Sequence, residues 1–184
     1  MKKGYIALIA VVVLLVIYGF SAYNGLVKQN EQADAQWAQV ETQYQRRLDL
    51  IPNLVNSVKG LMTQEQTVFT AIADARTHYG AATTPDQKAA AASQVESSLG
   101  RLLVVMENYP QLQSSAAVQN LMAQLEGTEN RVSVERKRFN DVIQIYNTNI
   151  KRFPKNVFAG MFGFHARNYF QAAQGAEVAP TVNL

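Results

Sequence analysis

The chain has 184 residues, no cysteine and a formal net charge of +3. The missing thiols exclude disulfides, thiolate catalysis and zinc knuckles. Lys2 and Lys3 account for most of the excess charge: without them 15 basic residues (17 − 2) face 14 acidic ones, which leaves no electrostatic footprint for nucleic-acid binding.

Taken in chain order, the first element is an uncharged apolar run from Tyr5 to Phe20 that extends through Ser21 and Ala22 to Tyr23. Its helix would measure about 28 Å against a hydrocarbon core of roughly 30 Å, just enough to span. A cleaved signal peptide competes, with Lys2 and Lys3 as its basic region and Gly19-Phe20-Ser21 as its cleavage site, but the run exceeds an apolar region of about 7–15 residues. Residues 1–23 are therefore predicted to anchor the chain in a lipid bilayer, with 5–23 in contact with lipid. Lys2 and Lys3 should hold the N-terminus in the cytoplasm, since the far flank offers only Lys28 against Glu31 and Asp34.

Residues 24–173 read as one helical domain of ordinary size. Leu26, Asn30, Ala33, Trp37, Val40, Tyr44, Leu48, Ile51, Val55, Val58 and Met62 recur every three or four positions and form one stripe. Phe69, Ile72 and Tyr79 extend it loosely to Gly80. Pro52 lies within the stripe, either as a kink in a continuous helix or in the first turn of a new helix capped by Asp49. The stripe keeps its phase across Pro52, which favours the continuous helix. Thr84-Pro85-Asp86-Gln87 is a capping box that opens the next helix. Ala89–Ala92 permit close approach of a neighbour along it, and Tyr109-Pro110 stops it. A last helix starts near Ser114 or Ser115 with Val118, Leu121, Leu125, Val132, Phe139, Ile143, Tyr146 and Ile150 on one face. Lys151 and Arg152 suit its C-terminal dipole, and Pro154 ends it. The predicted fold is all-α: an N-terminal transmembrane helix continuous with an antiparallel bundle of three long helices, or four if Pro52 breaks the first, packed as in a coiled coil. Residues 174–184 read as a disordered tail.

Tyr23-Asn24-Gly25-Leu26-Val27 with Trp37, the string Arg46-Arg47-Leu48-Asp49-Leu50-Ile51-Pro52-Asn53-Leu54-Val55 and the following Val58-Lys59-Gly60 together resemble the LemA family of bacterial membrane proteins. So do Tyr146-Asn147, Phe153-Pro154, Phe162-Gly163-Phe164 and Tyr169-Phe170. The resemblance runs from the tether to Phe170. It implies a membrane anchor, an antiparallel helical bundle and no established activity, and it supplies no catalytic residue. Gln171 departs from it, because the family often has an acid after the aromatic.

No reaction is spelled out by the residues. His78 and His165 are the two histidines, and neither has a carboxylate three or four residues after it, so neither a metal nor another cofactor is predicted. Glu126 and Glu129 share a face but read as a solvated acidic turn paired with Arg131 rather than an acid/base pair. Arg136-Lys137-Arg138, amid Glu129, Glu135 and Asp141, reads as a solvated salt-laced face. Gly160 and Gly163 lack the strand and third glycine of a dinucleotide loop.

The aromatic segment 153–170 is the best candidate site. Phe158, Met161, Phe162, Phe164, Tyr169 and Phe170 either plug the open end of the bundle or present a surface to a subunit, a partner or the membrane interface. Arg46, Arg47 and Asp49 form a second candidate, as an interaction surface beside Pro52 or as a plain intrahelical pair of Arg46 with Asp49. The expected function is a structural or interaction protein of the bacterial inner (plasma) membrane, without enzymatic activity. Its extracytoplasmic bundle would form a homo-oligomer or dock other envelope proteins. An extracytoplasmic ligand-binding or sensing module is the alternative, and a hydrolase with a triad assembled from distant residues is a remote third.

Overall fold

The computed structural model describes residues 2–170, and every regular element among them is an α-helix. The tail from 174 lies outside this range. Six helices follow one another: α1 (Lys2–Lys59), α2 (Gln66–Ala81), α3 (Pro85–Met106), α4 (Pro110–Gln113), α5 (Ala116–Lys151) and α6 (Lys155–Phe162).

Helix α1 carries Pro52 in its interior without interruption. Ile51, Leu54 and Val58 are fully buried on the stripe around it, so packing holds the helix together across the lost backbone hydrogen bond. The break comes later. The chain turns between Lys59 and Gln66, where Leu61 and Met62 both donate to the Val58 carbonyl at 3.0 Å and a fully buried Met62 anchors the turn. The stripe therefore belongs to two helices, α1 and α2. Its loose phase beyond Met62 is the trace of that turn, which the Pro52 alternative placed ten residues too early.

The chain divides into two compact units, and α1 and α5 contribute to both. Among the described residues, one unit contains Gln39–Arg136 with Phe170. Here α2 returns antiparallel to α1, bringing Tyr79 to 5.8 Å from Tyr44, ring to ring. Helix α3 runs with α1, pairing Lys88 with Glu41 near its start and reaching Glu65 through Tyr109 just past its end, at 3.4 Å. Helix α5 runs back, setting Glu129 against Arg47. Of the alanine run, Ala91 and Ala92 are buried. The capping box is complete: Thr84 Oγ1 accepts from the Gln87 amide at 3.2 Å, and Gln87 Oε1 accepts from the Thr84 amide at 3.3 Å.

The other unit contains α1 up to Ala38 and Lys137–Tyr169. Trp37 packs edge-on against Phe139 at 5.4 Å, and Asn149 donates to Gln29 at 2.9 Å. Leu26, Tyr146, Ile150 and Ala159 form a buried cluster with Phe164 packed on it. Gly163, at φ 76°, ends α6 in the left-handed conformation that glycine adopts without strain, and the Phe164 amide closes back on the Ala159 carbonyl at 2.9 Å.

Thr84→Ala should lower the unfolding free energy by about 1 kcal/mol, the usual worth of an N-cap. Chemical denaturation of the wild type and variant checks it, and an unchanged midpoint would mean that the cap does not secure α3.

Candidate functional site

The residues singled out in the sequence separate into two places. In the unit containing α6, Phe158 lies half-buried with its ring 5.7 Å from that of Tyr18, directly over Gly19. A Cβ on Gly19 would lie 2.8 Å from the Phe158 ring, so only glycine admits this approach. Phe162 leans on Tyr23 at 5.0 Å, and Phe164 reaches the same tyrosine at 5.9 Å. Phe153 is 83% exposed, Met161 69% and Val157 53%, and Phe162 is 45% exposed beside its contact with Tyr23. Part of the segment thus closes a core and part is presented outward. The exposed side chains and the apolar residues of α1 from Val12 to Phe20 line a cleft of about 560 Å³ with almost no polar surface.

Beyond α6 the chain is strapped down by polar contacts that the sequence did not reveal. Asn147 donates to the Arg167 carbonyl at 2.8 Å and accepts from the Arg167 amide at 2.9 Å. Tyr146 donates its hydroxyl to the His165 carbonyl at 3.0 Å. The Arg167 guanidinium donates to Asn30 Oδ1 at 3.1 Å and pairs with Asp34. Tyr169 is exposed.

In the other unit Phe170 is buried beneath the Arg136 guanidinium, which lies 4.5 Å from its ring centroid and 5.2 Å from that of Tyr44. Arg136 also donates to Glu96 and to the Tyr44 hydroxyl. The solvated-face reading of Arg136-Lys137-Arg138 thus fails at Arg136, which turns inward to meet a carboxylate on α3. Arg47 is buried, paired with Glu129 and 3.8 Å from Glu96. Glu129 therefore pairs across the bundle with Arg47. Arg46 and Asp49 stay exposed, and Asp49 accepts from Gln45 at 2.9 Å, which replaces the expected Arg46–Asp49 pair with an i, i+4 contact. Burial pushes the Glu96 carboxyl up to about 7, Glu129 adds to the rise and Arg47 opposes it. Burial also lowers Arg136, to about 10, which leaves it cationic at neutral pH.

Beside this network an open apolar groove of about 690 Å³ runs between α3, α4 and α5. Leu99, Leu103, Met106, Met122 and Leu125 line it, and Arg47, Glu126 and Glu129 stand among its polar residues.

The LemA family model matches residues 36–184. The chain belongs to the LemA family. Among similar proteins are the magnetosome protein MamQ 2 of Paramagnetospirillum magneticum, 26% identical over 200 residues, covering 92% of this chain and 74% of the relative, and the magnetosome protein MamQ of Magnetospirillum gryphiswaldense, 25% identical over 201 residues with the same coverage. Membership and the one helix among the described residues that is long and apolar enough to cross a membrane support a single-pass membrane protein. The family match takes in the Arg47–Glu96–Arg136 network and all of α6 but begins after the apolar run.

The network carries a prediction. Arg136→Leu alone should cost about 2–4 kcal/mol, since a buried carboxylate loses its partner and Glu96 retains some solvent contact. Adding Glu96→Leu should recover most of that loss. Denaturation of these variants and of Glu96→Leu alone decides it; a double-variant loss equal to the sum of the two single losses would mean that the pair is not coupled.

Proposed function

We propose that this LemA-family chain is a membrane-anchored interaction protein whose helical body assembles with itself or docks other proteins of the bacterial envelope. The observation that carries the reading is the groove between α3, α4 and α5. It is open along its length, its floor is apolar, and Leu103 and Ala123 stand exposed along it. Such a groove suits the apolar face of an amphipathic helix. Anchoring strengthens the reading, because confinement to a membrane raises effective concentration and makes weak contacts productive. The relatives named as magnetosome proteins are in keeping with a membrane-associated role.

A second reading, an extracytoplasmic ligand or sensing module, rests on the same groove. Its volume lies within the range of about 300–1,000 Å³ typical of small-molecule sites, and Arg47 and Glu129 supply polar groups at an apolar pocket.

The mass of the particle purified in mild detergent, together with its co-purifying proteins, separates the two. The interaction reading expects a particle heavier than the monomer, reduced to the monomer by Leu103→Glu with Ala123→Glu while helicity is kept. A wild-type monomer that releases a small molecule on denaturation would favour the ligand module instead.

The orientation proposed for the inner membrane is N-terminus in, body out. A cysteine in place of Thr83, in a chain that has none of its own, should react with an impermeant thiol reagent in intact spheroplasts. Labelling only after lysis would reverse the orientation.

A further inference from the structure

Helix α6 is short, nearly all apolar and held against α1 by its inner face alone. Phe158 sits on Gly19 and Tyr18, Ala159 is buried, and Phe162 meets Tyr23. Tyr18, Gly19 and Tyr23 belong to the apolar run, and Leu26, which clusters with Ala159, lies just past it, so α6 lies alongside the end of the candidate span. The outer face of α6 is left uncovered by the fold. Phe153, Val157 and Met161 would be an aqueous liability there.

Three observations identify what covers that face. The cleft between α6 and α1 has one wall made of Val12, Leu15 and Val16, which also face outward from the span. Whatever surrounds the span therefore surrounds α6 as well. The cleft presents almost no polar surface, whereas protein interfaces carry a polar rim and about one hydrogen bond per 100–200 Å². Finally, Lys151 and Arg152 are exposed immediately before α6, and Lys155 lies in its first turn. Cations on long stems beside an apolar helix suit the boundary between acyl chains and anionic headgroups.

We propose that α6 is a second membrane-inserted element. Its outer face of Phe153, Val157 and Met161 lies among lipid acyl chains beside the span, and Lys151, Arg152 and Lys155 lie at the level of the phosphates. The chain then contacts the bilayer at two places distant in sequence. Tying the end of α5 to the bilayer restricts how this unit tilts on its tether. The proposal stands apart from the docking groove and does not depend on it.

The absence of native cysteine allows one spin label per molecule. Full-length protein carrying Met161→Cys with a nitroxide is reconstituted into phosphatidylcholine/phosphatidylglycerol vesicles. Its collision rates are measured with oxygen, which concentrates in hydrocarbon, and with a nickel chelate, which stays in water. Leu15→Cys in the span and Thr83→Cys in the α2–α3 loop give the two limits. The label at Met161 should show an oxygen-to-nickel ratio close to that at Leu15. A ratio matching Thr83 would overturn insertion. Shielding from both reagents would overturn it too, and would assign the face to a second copy or another protein. If Met161→Cys loses helicity, Phe153→Cys provides the same readout at a more exposed position.

Discussion

Helix α1 must satisfy two solvents along one unbroken backbone, and the remaining helices respond to where the change falls. Up to Ile17 its apolar side chains are exposed on every side, which is stable only in a medium as apolar as they are. From Leu26 onward it buries a single stripe through Ala33, Val40, Ile51 and Val58, and that stripe requires partner helices. Because the backbone bonds of α1 are satisfied internally in either medium, nothing forces the helix to end at the crossover. The structure uses this freedom, and α6 is placed where the two regimes meet.

The Arg47–Glu96–Arg136–Glu129 arrangement is a different kind of constraint. An ion pair in a bundle interior gains little net stability, because desolvation offsets attraction, so its presence is better explained by what it forbids than by what it contributes. A one-residue slip of α5 against α3 would leave Glu96 buried without Arg136. The apolar stripe alone tolerates such errors, since Val, Leu and Ile positions are nearly interchangeable in a knobs-into-holes seam. Phe170 adds to this by stacking on Arg136, a contact worth up to about 2 kcal/mol when desolvated. The C-terminal end of the described chain is thereby attached to the same network.

Helix positions were legible in the sequence wherever the signal was local. Thr84, Pro85 and Gln87 form the cap that their spacing implies, and α5 runs from Ala116 to Lys151; α3, however, stops at Met106, before Tyr109-Pro110, which instead opens the short α4. Periodicity failed at residues 60–65, because the loosened spacing beyond Met62 still reads as one stripe and no proline or left-handed glycine marks the turn. The site was legible only in part. The segment 153–170 was identifiable by composition, but its division into inner and outer faces depends on contacts with Gly19, Tyr23 and Tyr44, which lie more than a hundred residues away. Arg136 reads as an ordinary surface cation, and nothing in the sequence singles out Arg167. Their partners Glu96 and Asp34 lie on other helices, and only the fold brings opposite charges of that separation together.

The outward face of α6 is held in place from both ends. On one side it follows α5 through the Phe153-Pro154 turn, and on the other Asn147 pairs with both backbone groups of Arg167 while the Arg167 side chain engages Asn30 and Asp34. These bonds are polar, and none of them involves Phe153 or Met161. Exposure here is therefore a consequence of the clamp rather than of poor packing. An apolar face fixed in this way meets its surroundings without first having to order itself, which removes the conformational cost that a flexible segment would have to overcome on binding. The polar residues around 165–167 thus determine how the apolar ones at 153–162 are presented.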